Sequence, residues 1–139
     1  MKATIDWNHD VEFTAHSGSG HQVIVDGPPD AGGANAGARP MELILMGLGT
    51  CTAFDVVTIL NKARQPLTSL KVEVDADRVD AVPAVFTKIR IHFVLTGRGL
   101  SEKHVERAIA LSAEKYCSAS IMLGQVAEIS HTHEIAEAD

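Results

Sequence analysis

A chain of 139 residues, 45% hydrophobic and 22% charged, has the size and composition of one globular domain and can bury a core without disulfide staples. Its formal net charge of -6 argues against nucleic acid and anionic membrane as partners, since both call for a basic face. The opening run Met1-Lys2-Ala3-Thr4-Ile5-Asp6-Trp7 lacks the apolar stretch of an export signal. A single domain over residues 1–139 is therefore expected in the cytoplasm, where a bond between its two cysteines, Cys51 and Cys117, would be transient and functional rather than structural.

Alternation in Ala3, Ile5, Trp7 and in Val11, Phe13, Ala15 predicts a hairpin turning through Asn8, His9 and Asp10, and residues 22–26 predict a third strand. The Gly-, Pro-, Ala- and Asp-rich segment 27–38 reads as a mobile surface loop. Pro40 suits the first turn of a helix, and Glu42 sits at the positive end of its dipole. From Met41 to Leu60 nearly every direction around the axis is apolar, which predicts burial on all sides. Glu42 and Asp55 bracket only 12 residues, short of the roughly 20 needed to cross a bilayer, so a core helix is expected.

Pro66 ends that helix after Lys62 and Arg64. Two half-buried strands follow, around Leu70, Val72, Val74 and around Ile89, Ile91, Phe93, Leu95, joined near residues 80–83. Ser101 caps a second helix whose inner face carries Val105, Ala108, Ile109, Ser112, Ala113 and Tyr116. A break at Cys117 precedes a short helix through Ile121, Met122 and Leu123. A last strand has Ala127, Ile129, His131, His133 and Ile135 on one face. Two long apolar helices and about six strands of antiparallel habit make an α+β domain, and the burial predicted for the first helix calls for a partner subunit.

The residues Arg39-Pro40-Met41-Glu42-Leu43, the run Gly49 to Val57 around Cys51, and Ser112 to Ser118 around Cys117 together resemble the OsmC/Ohr family, most of all its YhfA-like branch. The resemblance spans nearly the whole chain. It implies an OsmC-like fold in which two long buried central helices are wrapped by antiparallel sheets in an intertwined homodimer, with two sites at the subunit interface. It also implies a thiol peroxidase for organic hydroperoxides that needs no cofactor and no metal. In that scheme Cys51 attacks the peroxide and becomes a sulfenic acid, Cys117 condenses with it, and an external dithiol reduces the disulfide.

The attacking group must be a thiolate, and an apolar pocket opposes that unless donors or charge compensate. Thr50 and Thr52 are the candidate donors to Cys51, and Ser118 and Ser120 those to Cys117. Better-characterised branches place an acid directly after the proline, paired with an arginine from the early strands. Here Met41 holds that position and the acid falls at Glu42, about 100° further around the helix. The early strands carry no arginine, so Arg39 is the candidate substitute. The shifted acid and missing arginine keep open a second reading, a non-catalytic protein that binds an apolar or thiol-bearing small molecule at the dimer interface. Zinc binding through His131, His133 and the cysteines ranks below both. Asp55 needs a hydrogen-bond partner to be tolerated in such a helix, and Gly18 and Gly20 do not form a phosphate loop.

Overall fold

The computed structural model describes residues 1–139. The chain forms two compact units, Met1–Leu45 and Met46–Asp139, with the boundary inside one long helix.

The first unit is an antiparallel sheet of β1 (Ala3–His9), β2 (Glu12–Ser17) and β3 (Gln22–Val25) in that order, with Trp7 opposite Phe13. Asp10 closes the first hairpin at φ 45°, a left-handed conformation that Asp tolerates, and the Trp7 indole donates to the Asp10 carbonyl at 2.9 Å. The segment expected to be mobile is instead organised by one buried acid. Asp26 accepts the amide hydrogens of Gly27 at 2.7 Å, Ala34 at 3.0 Å and Ala36 at 3.0 Å. Composition alone hid this, because it weighs large apolar side chains and misses a carboxylate that gathers backbone donors. Gly37 is required for the closure: a Cβ there would stand 2.2 Å from the Ile24 carbonyl oxygen.

Helix α1 (Pro40–Lys62) starts in the first unit. Arg39 is its N-cap, Pro40 fills N1, and the Glu42 carboxylate reaches back to the Arg39 amide at 2.8 Å, half of a capping box.

In the second unit, β4 (Leu67–Arg78), β5 (Phe86–Gly97) and β6 (Glu128–Glu137) form a sheet with β5 at its centre. Ile89, Ile91, Phe93 and Leu95 alternate inward from β5 and are buried. β4 and β5 pair antiparallel, but β5 and β6 pair parallel, which corrects the all-antiparallel expectation. Alternation alone gives no strand direction. Residues 98–127 form a helical crossover, the connection that parallel neighbours require. The crossover consists of α2 (Glu102–Leu111), a π-helical turn (Ser112–Tyr116) and α3 (Ser118–Leu123). Ser101 caps α2 as expected, accepting from the His104 amide at 3.4 Å.

Burial on all sides of α1 is also corrected for the single chain. Leu48, Thr52, Val56 and Leu60 form one fully buried stripe at four-residue spacing, whereas Met46 and Phe54 are exposed. Gly49 lets the helix approach β4, since an added Cβ would lie 3.0 Å from a Val74 methyl. By length and composition α1 could cross a membrane. Its buried stripe shows it serving as a helix of the folded core.

Candidate functional site

Cys51 lies midway along α1 and is half-buried, while Cys117 ends the π-helical turn and is fully buried. The two thiols are free and close enough that Cys51 contributes to the raised pKa of Cys117. Two cysteines 66 positions apart in the chain thus meet in one place.

The meeting is arranged by hydrogen bonds that span α1 and the crossover. The Ser112 hydroxyl donates to the Asp55 carboxyl at 2.8 Å and stands 2.8 Å from the Thr52 hydroxyl. A hydroxyl has one hydrogen, so with Ser112's given to Asp55, Thr52 donates to Ser112. Thr52 and Ser112 are both fully buried, where such a network must be satisfied to be tolerated. The Ser112 carbonyl then accepts the Cys117 amide at 2.9 Å, a bond from residue i to i−5 that defines the π-helical turn. Thr52 is chain neighbour to Cys51, so one serine connects the two cysteine-bearing segments.

At Cys117 the chain leaves the helical region (φ -79°, ψ 100°) and the sulfur becomes the N-cap of α3, accepting the Ser120 amide at 3.3 Å. Burial pushes the Cys117 thiol up. The hydroxyl and amide of Ser120 pull it part-way back, and the neighbouring Cys51 adds a smaller upward push. Cys117 therefore stays protonated more readily than an ordinary cysteine. The Ser120 hydroxyl is buried and forms no hydrogen bond of its own.

The expected donors to Cys51 are engaged elsewhere. Thr50 turns back to the Met46 carbonyl at 2.7 Å, and Thr52 serves Ser112. Of the expected donors to Cys117, Ser120 contributes through its backbone amide rather than its hydroxyl. Within the first unit, Glu42 caps α1 as described, and the Arg39 guanidinium donates to Asn35 Oδ1 at 2.9 Å and to the Gly37 carbonyl at 3.0 Å. Both side chains order residues 35–42.

The expected histidine pair divides. His131 stacks on Phe93 with ring centroids 6.3 Å apart, its Nε2 is buried without a partner, and burial lowers its pKa. His133 bonds instead to Glu102 and has Glu106 close by, the three ligand-capable atoms lying within 4.8 Å of one another. The donor set that gathers is therefore this one, not the histidines with the cysteines. Asp55 has the partner it needed in Ser112. Sequence reasoning missed the role of Ser112 and the π-helical turn. The available signal was a serine on the otherwise apolar inner face of the second helix.

The OsmC-like protein family profile matches residues 32–132, which include both cysteines, the capping acid and the serine. The chain belongs to the OsmC-like family. It is 41% identical to Protein YhfA of Escherichia coli (strain K12) over an alignment of 141 positions that covers 99% of this chain and all of that protein. A hypothetical protein from Aquifex aeolicus VF5 shares the fold with a TM-score of 0.87 at 27% identity, over 99% of this chain and 97% of that one. The organic hydroperoxide resistance protein OhrB of Bacillus subtilis aligns with a TM-score of 0.62 at 15% identity over 96% of each chain, a likeness of fold alone. OsmC-like architecture, with mixed helix and sheet, is thus the fold of this protein.

Proposed function

We propose that this OsmC-like protein is a cysteine-based thiol peroxidase for organic hydroperoxides. The observation that carries the reading is the approach of a half-buried Cys51 to a fully buried Cys117. The partly accessible thiol is the one a substrate reaches, and the sheltered one is placed to trap what forms. The Cys51 thiolate attacks the O–O bond of ROOH, leaving Cys51 as a sulfenic acid and releasing ROH once a proton is taken up. The Cys117 thiol then displaces water from the sulfenic sulfur, forming the Cys51–Cys117 disulfide. An external dithiol reduces this disulfide and is itself oxidised, so the sum is ROOH plus dithiol to ROH, water and disulfide. The membership of hydroperoxide resistance proteins in the same fold family supports the assignment. A reducing compartment such as the cytoplasm, where an external dithiol is at hand, would suit this cycle.

Phe54, 71% exposed, and Met122, 73% exposed, lie open in the single chain. A second copy of the chain is the partner proposed to cover these exposed apolar groups. The alkyl part of a hydroperoxide would lie against apolar residues of α1 such as Met46, which is exposed in the single chain, where hydrogen peroxide gains little. The test is turnover by the purified protein with a dithiol reductant, comparing an organic hydroperoxide with hydrogen peroxide. Cys51→Ser should abolish the organic hydroperoxide activity, and full retention of rate would refute the mechanism.

A second reading is favoured by the engagement of Arg39 and Glu42 in local structural bonds. In it the protein binds an apolar or thiol-bearing small molecule without turnover. Native mass spectrometry showing a co-purified ligand, with no sulfenic acid on rapid mixing with peroxide, would favour that reading over the peroxidase.

A further inference from the structure

The geometry points to a second ligand site, a cleft between the C-terminal part of α1 and helix α2 that binds a small carboxylate with an apolar body. The cleft has a volume of about 320 Å³ and is lined by Ile59, Lys62, Ala63, His104, Arg107 and Leu111. That volume is at the lower end of the roughly 300–1,000 Å³ of small-molecule sites. Its lining divides by chemistry into an apolar floor of Ile59, Ala63 and Leu111 and a basic rim of Lys62, His104 and Arg107, with no acidic residue.

A purely basic rim departs from the rest of this chain, which has 18 acidic residues against 12 Lys and Arg. None of the three basic side chains forms an ion pair. Arg39, Arg78, Arg90 and Arg98 all bond to acceptors supplied by the fold. Arg64 and Arg107 have none, and of these two only Arg107 lines the cleft. Lys62 is partly accounted for by its place in the last turn of α1, where a cation suits the dipole. That argument does not extend to Arg107 or His104, which lie on a different helix.

Like charges gathered without counter-charge repel, and a bound anion relieves the repulsion. The planar guanidinium fork of Arg107 matches a carboxylate bidentately, and Lys62 adds a point charge. The floor excludes a bare inorganic anion as the best occupant, because its apolar area would stay wet. A short alkyl or aryl carboxylate satisfies both halves. The site is separate from the thiols: Ile59 is eight residues beyond Cys51, about 12 Å along the helix axis. The proposal therefore stands independently of the peroxidase reading.

The test is titration of the full-length, 15N-labelled protein with octanoate, octanol and inorganic phosphate, followed by backbone amide shifts in NMR. Octanoate is expected to shift the amides of residues 59–63 and 104–111, to bind about tenfold or more tightly than either octanol or phosphate, and to weaken with added salt. Lys62→Gln combined with Arg107→Gln should weaken octanoate binding about tenfold or more with the thermal transition unchanged, and Arg107→Lys should weaken it less. Octanol binding as tightly as octanoate would reduce the cleft to an apolar patch, and phosphate doing so would reduce it to a charge patch. Either result overturns the proposal, as does octanoate binding that ignores the double substitution.

Discussion

The carbonyl of Ser112 accepts the amide hydrogen of Cys117 at 2.9 Å, and the hydroxyl of the same serine bonds to Asp55 and Thr52 on helix α1. One residue therefore fixes both the π-helical turn that presents Cys117 and the place on α1 to which that turn is joined.

Ser112→Ala keeps the carbonyl bond and removes the hydroxyl, leaving Thr52 without its acceptor and Asp55 without its donor. A loss of about 1–3 kcal/mol in stability is expected, as for other buried polar groups left unsatisfied. Formation of the Cys51–Cys117 disulfide should slow more than the first attack by Cys51. Chemical denaturation and rapid mixing with peroxide separate the two effects, and unchanged disulfide formation would deny Ser112 a positioning role.

Cys117→Ser removes the thiol that traps the sulfenic acid. The first oxidation of Cys51 should persist while multiple turnover with a dithiol falls steeply. Excess peroxide should carry Cys51 to the sulfinic state, which intact-mass measurement detects. Undiminished steady-state turnover would show that Cys117 does not resolve the intermediate.

Asp26 sets a pH dependence in the first unit. Hydrogen bonds from the Ala36 and Ala34 amides hold its carboxyl below the ordinary value of 3.8, against the opposing effect of burial. A carboxylate whose folded pKa is depressed stabilises the fold above its unfolded pKa, and that contribution is lost as pH falls through the folded value. Protection of the Ala34 and Ala36 amides from hydrogen exchange should therefore be constant above about pH 5 and decline in the acid range below 3.8. Asp26→Asn should reduce that protection at neutral pH, and equal protection in both proteins would remove Asp26 as the organiser of the loop.

Phe54 tests the proposed homodimer. If a second copy covers its exposed ring, Phe54→Ala should cost about 2 kcal/mol or more of association, roughly a thirtyfold weaker dimer. Analytical ultracentrifugation over a range of concentrations measures this. A chain that sediments as a monomer at all concentrations before substitution would exclude the partner.

Much of this protein could be read along the chain because the relevant forces act locally. Period-two alternation marked the strands around Ile89 to Leu95, and Pro40 with Glu42 marked the start of α1, since a missing amide hydrogen and a back-reaching carboxylate act within one turn. Ser101 was legible as a cap for the same reason. The two cysteine motifs and their order along the chain carried the family.

Tertiary structure decided the rest. Strand alternation is identical for parallel and antiparallel neighbours, so the direction of β6 beside β5 came only from the path of the crossover. An apolar helix does not reveal which of its faces the same chain covers, so the stripe from Leu48 to Leu60 and the exposure of Phe54 had to be observed. Hydroxyl side chains choose among several acceptors by distance, so Thr50 turning to its own helix and Thr52 turning to Ser112 could not be read from their places beside Cys51. The sequence by itself determined which residues make helices and strands and which two sulfurs are available. Only folding brought those sulfurs together, because their proximity depends on a buried network between residues more than fifty positions apart, a distance across which no local pattern carries information.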